Sequence, residues 1–238
     1  MDTIKVNKGN VRMIAHRGVS GLERENTNAA FVAAGQRSYY GIETDIHVTA
    51  DGKFIVVHDD DLKRIAGLNI DVEKSLFADL RKVRLTDLDG MPREDLCLPS
   101  LEEYISICRK YDKQAILELK NPMKKERVWE AAEIIKKMDW FTRTTFISFD
   151  GQNLVYLREK YVDADVQFLT EKCTDADIRF MIAQNMDADI CGYALSEEKI
   201  KTLRKAGLKI NVWTLDEPWQ MELAVKFGVD FVTTNILE

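Results

Sequence analysis

The sequence lacks the features that would mark several classes of protein. No apolar run approaches the ~20 residues that a bilayer-spanning helix needs, so stable membrane insertion is not expected. The opening residues, MDTIKVNKGN, carry no apolar segment of the secretory type. A cytoplasmic location is therefore expected, with export of a longer precursor left open. There is no basic excess: 34 Lys and Arg stand against 40 Asp and Glu, a net charge of −6, which argues against a nucleic-acid partner. The four cysteines are scattered and form no C-x-x-C pair, so reduced, buried thiols are expected rather than a disulfide framework or a zinc site. No G-x-G-x-x-G follows a strand-like run, and no nucleophile elbow surrounds Ser148. Repeats, low-complexity tracts and Pro/Gly-rich linkers are absent too. What remains is 238 residues, 45% hydrophobic and 31% charged, the balance of a soluble globular chain able to form one large core.

Short β-rich runs alternate with amphipathic helical stretches. The runs are 11–15, 41–48, 114–119, 144–149, 166–170, 188–192, 209–214 and 230–234. Helices are predicted over 28–37, 101–111, 124–138, 152–161, 175–185, 197–206 and 218–227. Ser100 and Glu103 have capping-box spacing, Ser196 starts another helix, and Gly207 and Gly228 follow helix ends. Such alternation implies parallel strands with right-handed crossovers, and eight units in this length point to a TIM (β/α)8 barrel. A doubly wound open sheet is the structural alternative. Residues 53–57 read as an extra strand. Residues 59–99 lack a barrel strand, hold one short helical piece at 72–80, and read as a small insertion after the second barrel unit. The expectation is a single domain over 1–238.

Barrel strands are buried on both faces, so ionisable residues within them need a reason. Glu43 and Asp45 lie two apart in GIETDIHV and share a face. Glu118 and Lys120 repeat the spacing in LELK. Three converging carboxylates repel one another, and a hard divalent cation, Mg2+ or Ca2+, would resolve this better than zinc. Ion pairing with Arg17 or Lys120 is the plainer account. His16 and His58 each end an apolar run and form a candidate proton-transfer pair. His47 lies further along, near a turn, and reads as structural or surface. Arg17 and Lys120 suit a phosphate. Asn26 reads as a loop anchor, and Trp213 as a substrate-pocket wall or a core residue.

HRG (16–18), ENTNAAF (25–31), ETD (43–45), TADG (49–52), VVHDDDLKR (56–64), LPSLEEY (98–104), LELKNP (117–122), ISFD (147–150), VWT (212–214) and GVDFVTTN (228–235) together resemble the glycerophosphodiester phosphodiesterase family. The resemblance implies a TIM barrel with a small insertion. It implies metal ligation by Glu43, Asp45 and Glu118, with His16 as general base and His58 as general acid. It also implies phosphate contact by Arg17 and Lys120. The expected substrate is a small glycerophosphodiester, cleaved to glycerol 3-phosphate and an alcohol. Two positions depart from the family pattern: Arg24 stands where proline is common before ENT, and Asn235 stands where the last strand often ends in T-D. Neither touches the metal set or the histidines. The rival readings are a lysophospholipid-directed phosphodiesterase of phospholipase D type, which would want an apolar rim, and a noncatalytic phosphate-binding barrel. A barrel isomerase or aldolase is a weaker option, because Lys120 beside Glu118 is a poor isolated amine.

Overall fold

A computed structural model describes residues 2–238. Parallel pairing closes eight strands into a ring: β1 (Arg12–Ala15), β2 (Gly41–Val48), β4 (Gln114–Leu119), β5 (Thr144–Ser148), β6 (Asp165–Thr170), β7 (Asp187–Cys191), β8 (Ile210–Trp213) and β9 (Phe231–Thr234). Closure comes from β1, which pairs with β9 on one side (Ile14 opposite Thr233) and β2 on the other (Ile14 opposite Gly41). The extra strand expected near 53–57 is β3 (Phe54–Val56), antiparallel to the end of β2. Outside the insertion, the predicted strands and helices appear within a residue or two of their expected bounds. The chain therefore forms a TIM barrel, not the open sheet that was the alternative.

Strand periodicity sorts the apolar residues into two layers. Ile14, Ile116, Ile147, Leu169 and Phe231 pack inside the barrel. Ile42, Ile46, Ala115, Leu117, Phe146, Ala188 and Val212 point outward against the helices. α4 (Leu101–Lys110) shows how a helix seats on that outer face. Ser100 and Glu103 form the expected capping box, and Leu101, Tyr104, Ile105 and Cys108 form one buried stripe. Tyr104 Oη donates to the Ile42 carbonyl at 2.6 Å, which satisfies the one polar atom of an otherwise apolar side chain. Burying each large side chain of this stripe contributes roughly 1.5–3 kcal/mol.

The segment between β3 and α4 is built differently. Two short helices, α2 (Lys63–Ala66) and α3 (Phe77–Leu80), replace the single piece expected over 72–80; α2 was not predicted. Residues 72–76 turn instead, with the Ser75 amide donating to the Val72 carbonyl. Ile55, Val57, Leu62, Ile65, Val72, Leu80, Leu85, Leu96 and Leu98 form a satellite core. Ile70 and Phe77 pack against it, while Leu68 and Leu76 are exposed. Most of the apolar residues that a lipid-binding rim would need are thus spent inside. Two of the cysteines, Cys108 and Cys173, are buried as expected; Cys97 and Cys191 are half-buried, and all four are free thiols. Among the described residues no helix is long and apolar enough to cross a membrane.

Candidate active site

Ends of the barrel strands deliver the charged residues to one mouth. β1 runs into His16 and Arg17, where the chain must turn sharply. Arg17 adopts a left-handed backbone (φ 52), and Gly18 follows at φ +77. A Cβ at Gly18 would lie 2.6 Å from the Ala30 Cβ, so only glycine lets this loop lie against α1 (Asn28–Gly35). The turn aims the Arg17 backbone N–H at Glu43 Oε2, 2.7 Å away. Asn26 is buried as well, and its amide N–H donates to the Arg17 carbonyl at 2.9 Å. Its side chain takes a hydrogen bond from Thr44 and gives one to Asp45 Oδ2 at 2.8 Å. The loop anchor read from the sequence therefore also holds a carboxylate.

Glu43, Asp45 and Glu118 converge, each buried, with one carboxylate oxygen apiece within 4.8 Å of the others. Lys120 Nζ lies 2.9 Å from Glu118 and 3.6 Å from Asp45 Oδ1, and Arg17 Nε lies 3.7 Å from Asp45 Oδ2. Ion pairing is thus present, but two cations face three carboxylates, and Arg17 is shared with Glu25 at 2.8 Å. Asp45 Oδ1 has no hydrogen-bond donor among the described residues. Burial, reinforced by the charge of Asp45, holds Glu43 and Glu118 well above the ordinary carboxylate range. Burial pushes Asp45 the same way, but Arg17, Lys120 and His58 overcome it and hold that carboxyl low. An all-oxygen donor set with surplus negative charge and an unfilled oxygen fits a hard divalent cation.

The two histidines flank this cluster in different settings. His16 Nε2 is 3.9 Å from Glu43 Oε2. Its Nδ1 meets Asn235 Oδ1 at 2.8 Å, so this departure from the family pattern does touch a histidine, contrary to the expectation from the sequence. Asn235 cannot turn round, because its Nδ2 donates to Asp216 Oδ2 at 2.6 Å. The amide oxygen therefore faces the ring, the proton sits on Nδ1, and Nε2 presents its lone pair. Burial, with Arg17 adding to it, lowers the His16 pKa to about 4, so this imidazole is neutral at neutral pH. His58 is more exposed, and its Nδ1 lies 2.7 Å from Asp59 Oδ1. Arg64 of α2 bridges Asp59 at 2.8 Å and Glu25 at 2.6 Å, tying the insertion to the mouth. Burial also lowers the His58 pKa, outweighing Asp45 and Asp59. His47 is fully buried, not on the surface; its Nδ1 lies 3.1 Å from Glu73 and its Nε2 3.3 Å from the His58 carbonyl.

A pocket of about 140 Å³ opens between these groups and the far wall of the barrel. Of the eight residues singled out in the sequence, His16, Arg17, Glu43, His58, Glu118 and Trp213 line it. Asp45 and Lys120 do not, but their ion pairs join them to residues that do. Trp213 is a pocket wall, packed edge-to-face on Phe149 with ring centroids 5.7 Å apart.

Against this geometry, residues 16–238 match the model of the glycerophosphoryl diester phosphodiesterase family. The chain belongs to that family. A glycerophosphodiester phosphodiesterase of Caldanaerobacter subterraneus subsp. tengcongensis is 27% identical over 229 residues, covering 94% of this chain and 93% of the relative. A crystal structure of a putative glycerophosphoryl diester phosphodiesterase from Silicibacter pomeroyi superposes with a TM-score of 0.88 at 22% identity, covering 97% of this chain and 92% of that one. An Oleispira antarctica phosphodiesterase in complex with the product sn-glycerol-3-phosphate superposes with a TM-score of 0.84 at 23% identity, covering 94% and 92%. At these identities the two structures speak to the fold.

Several residues of this phosphodiesterase were not legible beforehand. Asp216 and Asp59 orient the imidazoles, Asp216 through Asn235; nothing local marks Asp216, whereas Asp59 follows His58 within VVHDDDLKR without its role being read from it. Arg24, the departure before ENT, donates to the carbonyls of Thr86 and Asp87 and so fastens the loop to the insertion. Ser148 donates to the Leu119 carbonyl at 2.8 Å and is structural. Asp189 did carry a signal: like Glu43, it is an ionisable residue inside a barrel strand, and it lines the pocket.

Proposed function

We propose that this enzyme is a metal-dependent hydrolase of small glycerophosphodiesters, releasing glycerol 3-phosphate and an alcohol, with the whole chain acting as one catalytic domain. The observation that carries the reading is a buried, undercompensated cluster of three carboxylates, two of them lining one pocket together with two differently oriented histidines. Glu43, Asp45 and Glu118 would hold Mg2+ or Ca2+, which when bound supplies positive charge against the phosphate oxygens. Arg17 and Lys120 hold the nonbridging oxygens and offset the charge that builds in the transition state.

His16 is the general base: with its proton fixed on Nδ1, Nε2 takes a proton from the attacking hydroxyl. A new P–O bond forms as the bond to the alcohol oxygen breaks. His58 is the general acid: Asp59 supports its imidazolium, and it gives a proton to the departing alkoxide. The attacking hydroxyl belongs to water or to the glycerol 2-position, and the second route passes through a cyclic phosphate that phosphorus NMR would detect. The product named in the Oleispira complex supports glycerol 3-phosphate as the released half. The test is turnover of glycerophosphocholine with and without a chelator, then after adding back Mg2+ or Ca2+, and in His16→Ala and His58→Ala. Full chelator-insensitive activity in both variants would falsify the reading.

A further inference from the structure

Asp189 stands on β7, the fourth strand from β2 in either direction around the closed ring. It therefore lies across the barrel from Glu43 and Asp45. Its side chain lines the same pocket, is 1% exposed, and its Oδ1 has no hydrogen-bond partner among the described residues. Asn211 stands opposite Asp189 on β8 and its amide acts on that carboxyl, without giving Oδ1 a hydrogen bond. The Asn211 side-chain amide donates to Thr233 at 3.1 Å and to Gln167 at 3.4 Å, and Trp213 Nε1 donates to the backbone carbonyl of Asp189. No Lys or Arg ion-pairs with it among the described residues. Ile147, Phe149, Leu169 and Trp213 supply the apolar part of that wall, with Thr233 and the more exposed Glu171 as its other polar lining. An isolated buried acceptor weakens a fold, so its presence in a ligand pocket calls for a donor brought by the ligand.

We propose that Asp189 binds the organic arm of the substrate, accepting a hydrogen bond from a hydroxyl of the group esterified to phosphate. This assignment rests on the phosphodiesterase reading above. With the phosphate at the β1–β2–β4 wall, the arm crosses toward β7, its carbons on Leu169 and Trp213 and its hydroxyl at Asp189. Burial, partly offset by Asn211, lifts the Asp189 carboxyl to about 7. An accepting oxygen remains in either protonation state. An arm without a hydroxyl leaves the acceptor unpaired, so Asp189 selects glycerol-like over aryl or simple alkyl arms.

Asp189→Ala and Asp189→Leu, assayed on glycerophosphocholine and on bis(p-nitrophenyl) phosphate, test this. Expected is a loss of about 10- to 100-fold in kcat/KM on glycerophosphocholine, with the aryl diester unaffected and Tm unchanged or raised. Asp189→Asn, which keeps a carbonyl acceptor, should recover much of the loss. Equal losses on both diesters, a lowered Tm in both variants, or unchanged selectivity would overturn the assignment. Calorimetry gives a readout without turnover: the wild type should bind sn-glycerol 3-phosphate more tightly than inorganic phosphate, and Asp189→Leu should lose that preference. If the wild type cleaves neither diester, the proposed function falls and the assignment with it. Wild-type turnover with unchanged selectivity in the variants removes only the assignment.

Discussion

Two groups of buried carboxylates in this barrel behave in opposite ways. Glu238 accepts from Thr3 Oγ1 at 2.6 Å, the Ser38 amide at 2.8 Å and Lys5 Nζ at 2.7 Å. Burial pushes its carboxyl up, but these partners hold it down at about 2. Glu43, Asp45 and Glu118 share two cations, leave one oxygen without a donor, and include two carboxyls raised by burial and by one another. Burial alone does not separate a structural acid from one proposed to hold a metal. The completeness of its partners does.

The largest effect expected from breaking this contrast is at the mouth. Chelation, or Glu43→Gln, should cut kcat by about 10⁴-fold, the several kcal/mol that such charge stabilisation provides. Thermal unfolding of Glu43→Gln should show no loss of stability, because the substitution relieves repulsion. A large drop in Tm would place Glu43 with Glu238 instead. Next come the two histidines proposed to transfer protons. His16→Ala and His58→Ala should each lower kcat by about 10³-fold, and the His58→Ala defect should shrink on an aryl diester whose leaving group needs no proton. An undiminished defect there would argue against the acid role.

At Glu238 the pattern should reverse. Glu238→Gln should leave kcat untouched and cost about 1–3 kcal/mol of stability at pH 7. Its folded carboxyl titrates below the ordinary value of 4.5, so the contribution is full above that pH and fades as pH falls toward 2. Unfolding curves of wild type and variant should therefore converge in acid; a constant gap would refute the charge-based account. The smallest effect belongs to the apolar wall. Trp213→Ala should raise KM by about tenfold with kcat nearly kept, the value of lost pocket contact.

Much of this was readable in one dimension. Strands and helices follow from periods of 2 and 3.6 and from caps such as Ser100–Glu103, which are local. The acidic cluster was legible because a carboxylate in a doubly buried strand is costly wherever the strand lies. The same rule applied to Asp189 and was not used. α2 stayed hidden because four residues carry no period. Of the two readings for His47, structural or surface, the structural one holds; its partners, Glu73 and the His58 carbonyl, lie beyond β2, so local sequence could not choose between them.

By itself, then, the order of residues determined the repeating units, their ends, and which side chains stand where each strand stops. Tertiary structure decided how those ends face one another. Closure of β1 on β9 sets β7 across from β2 and Asp216 behind Asn235, and the insertion's packing on the mouth sets Arg64 between Asp59 and Glu25. The physical reason is range: periodicity and capping act within a few residues, whereas register and closure are set by contacts between residues far apart in the chain.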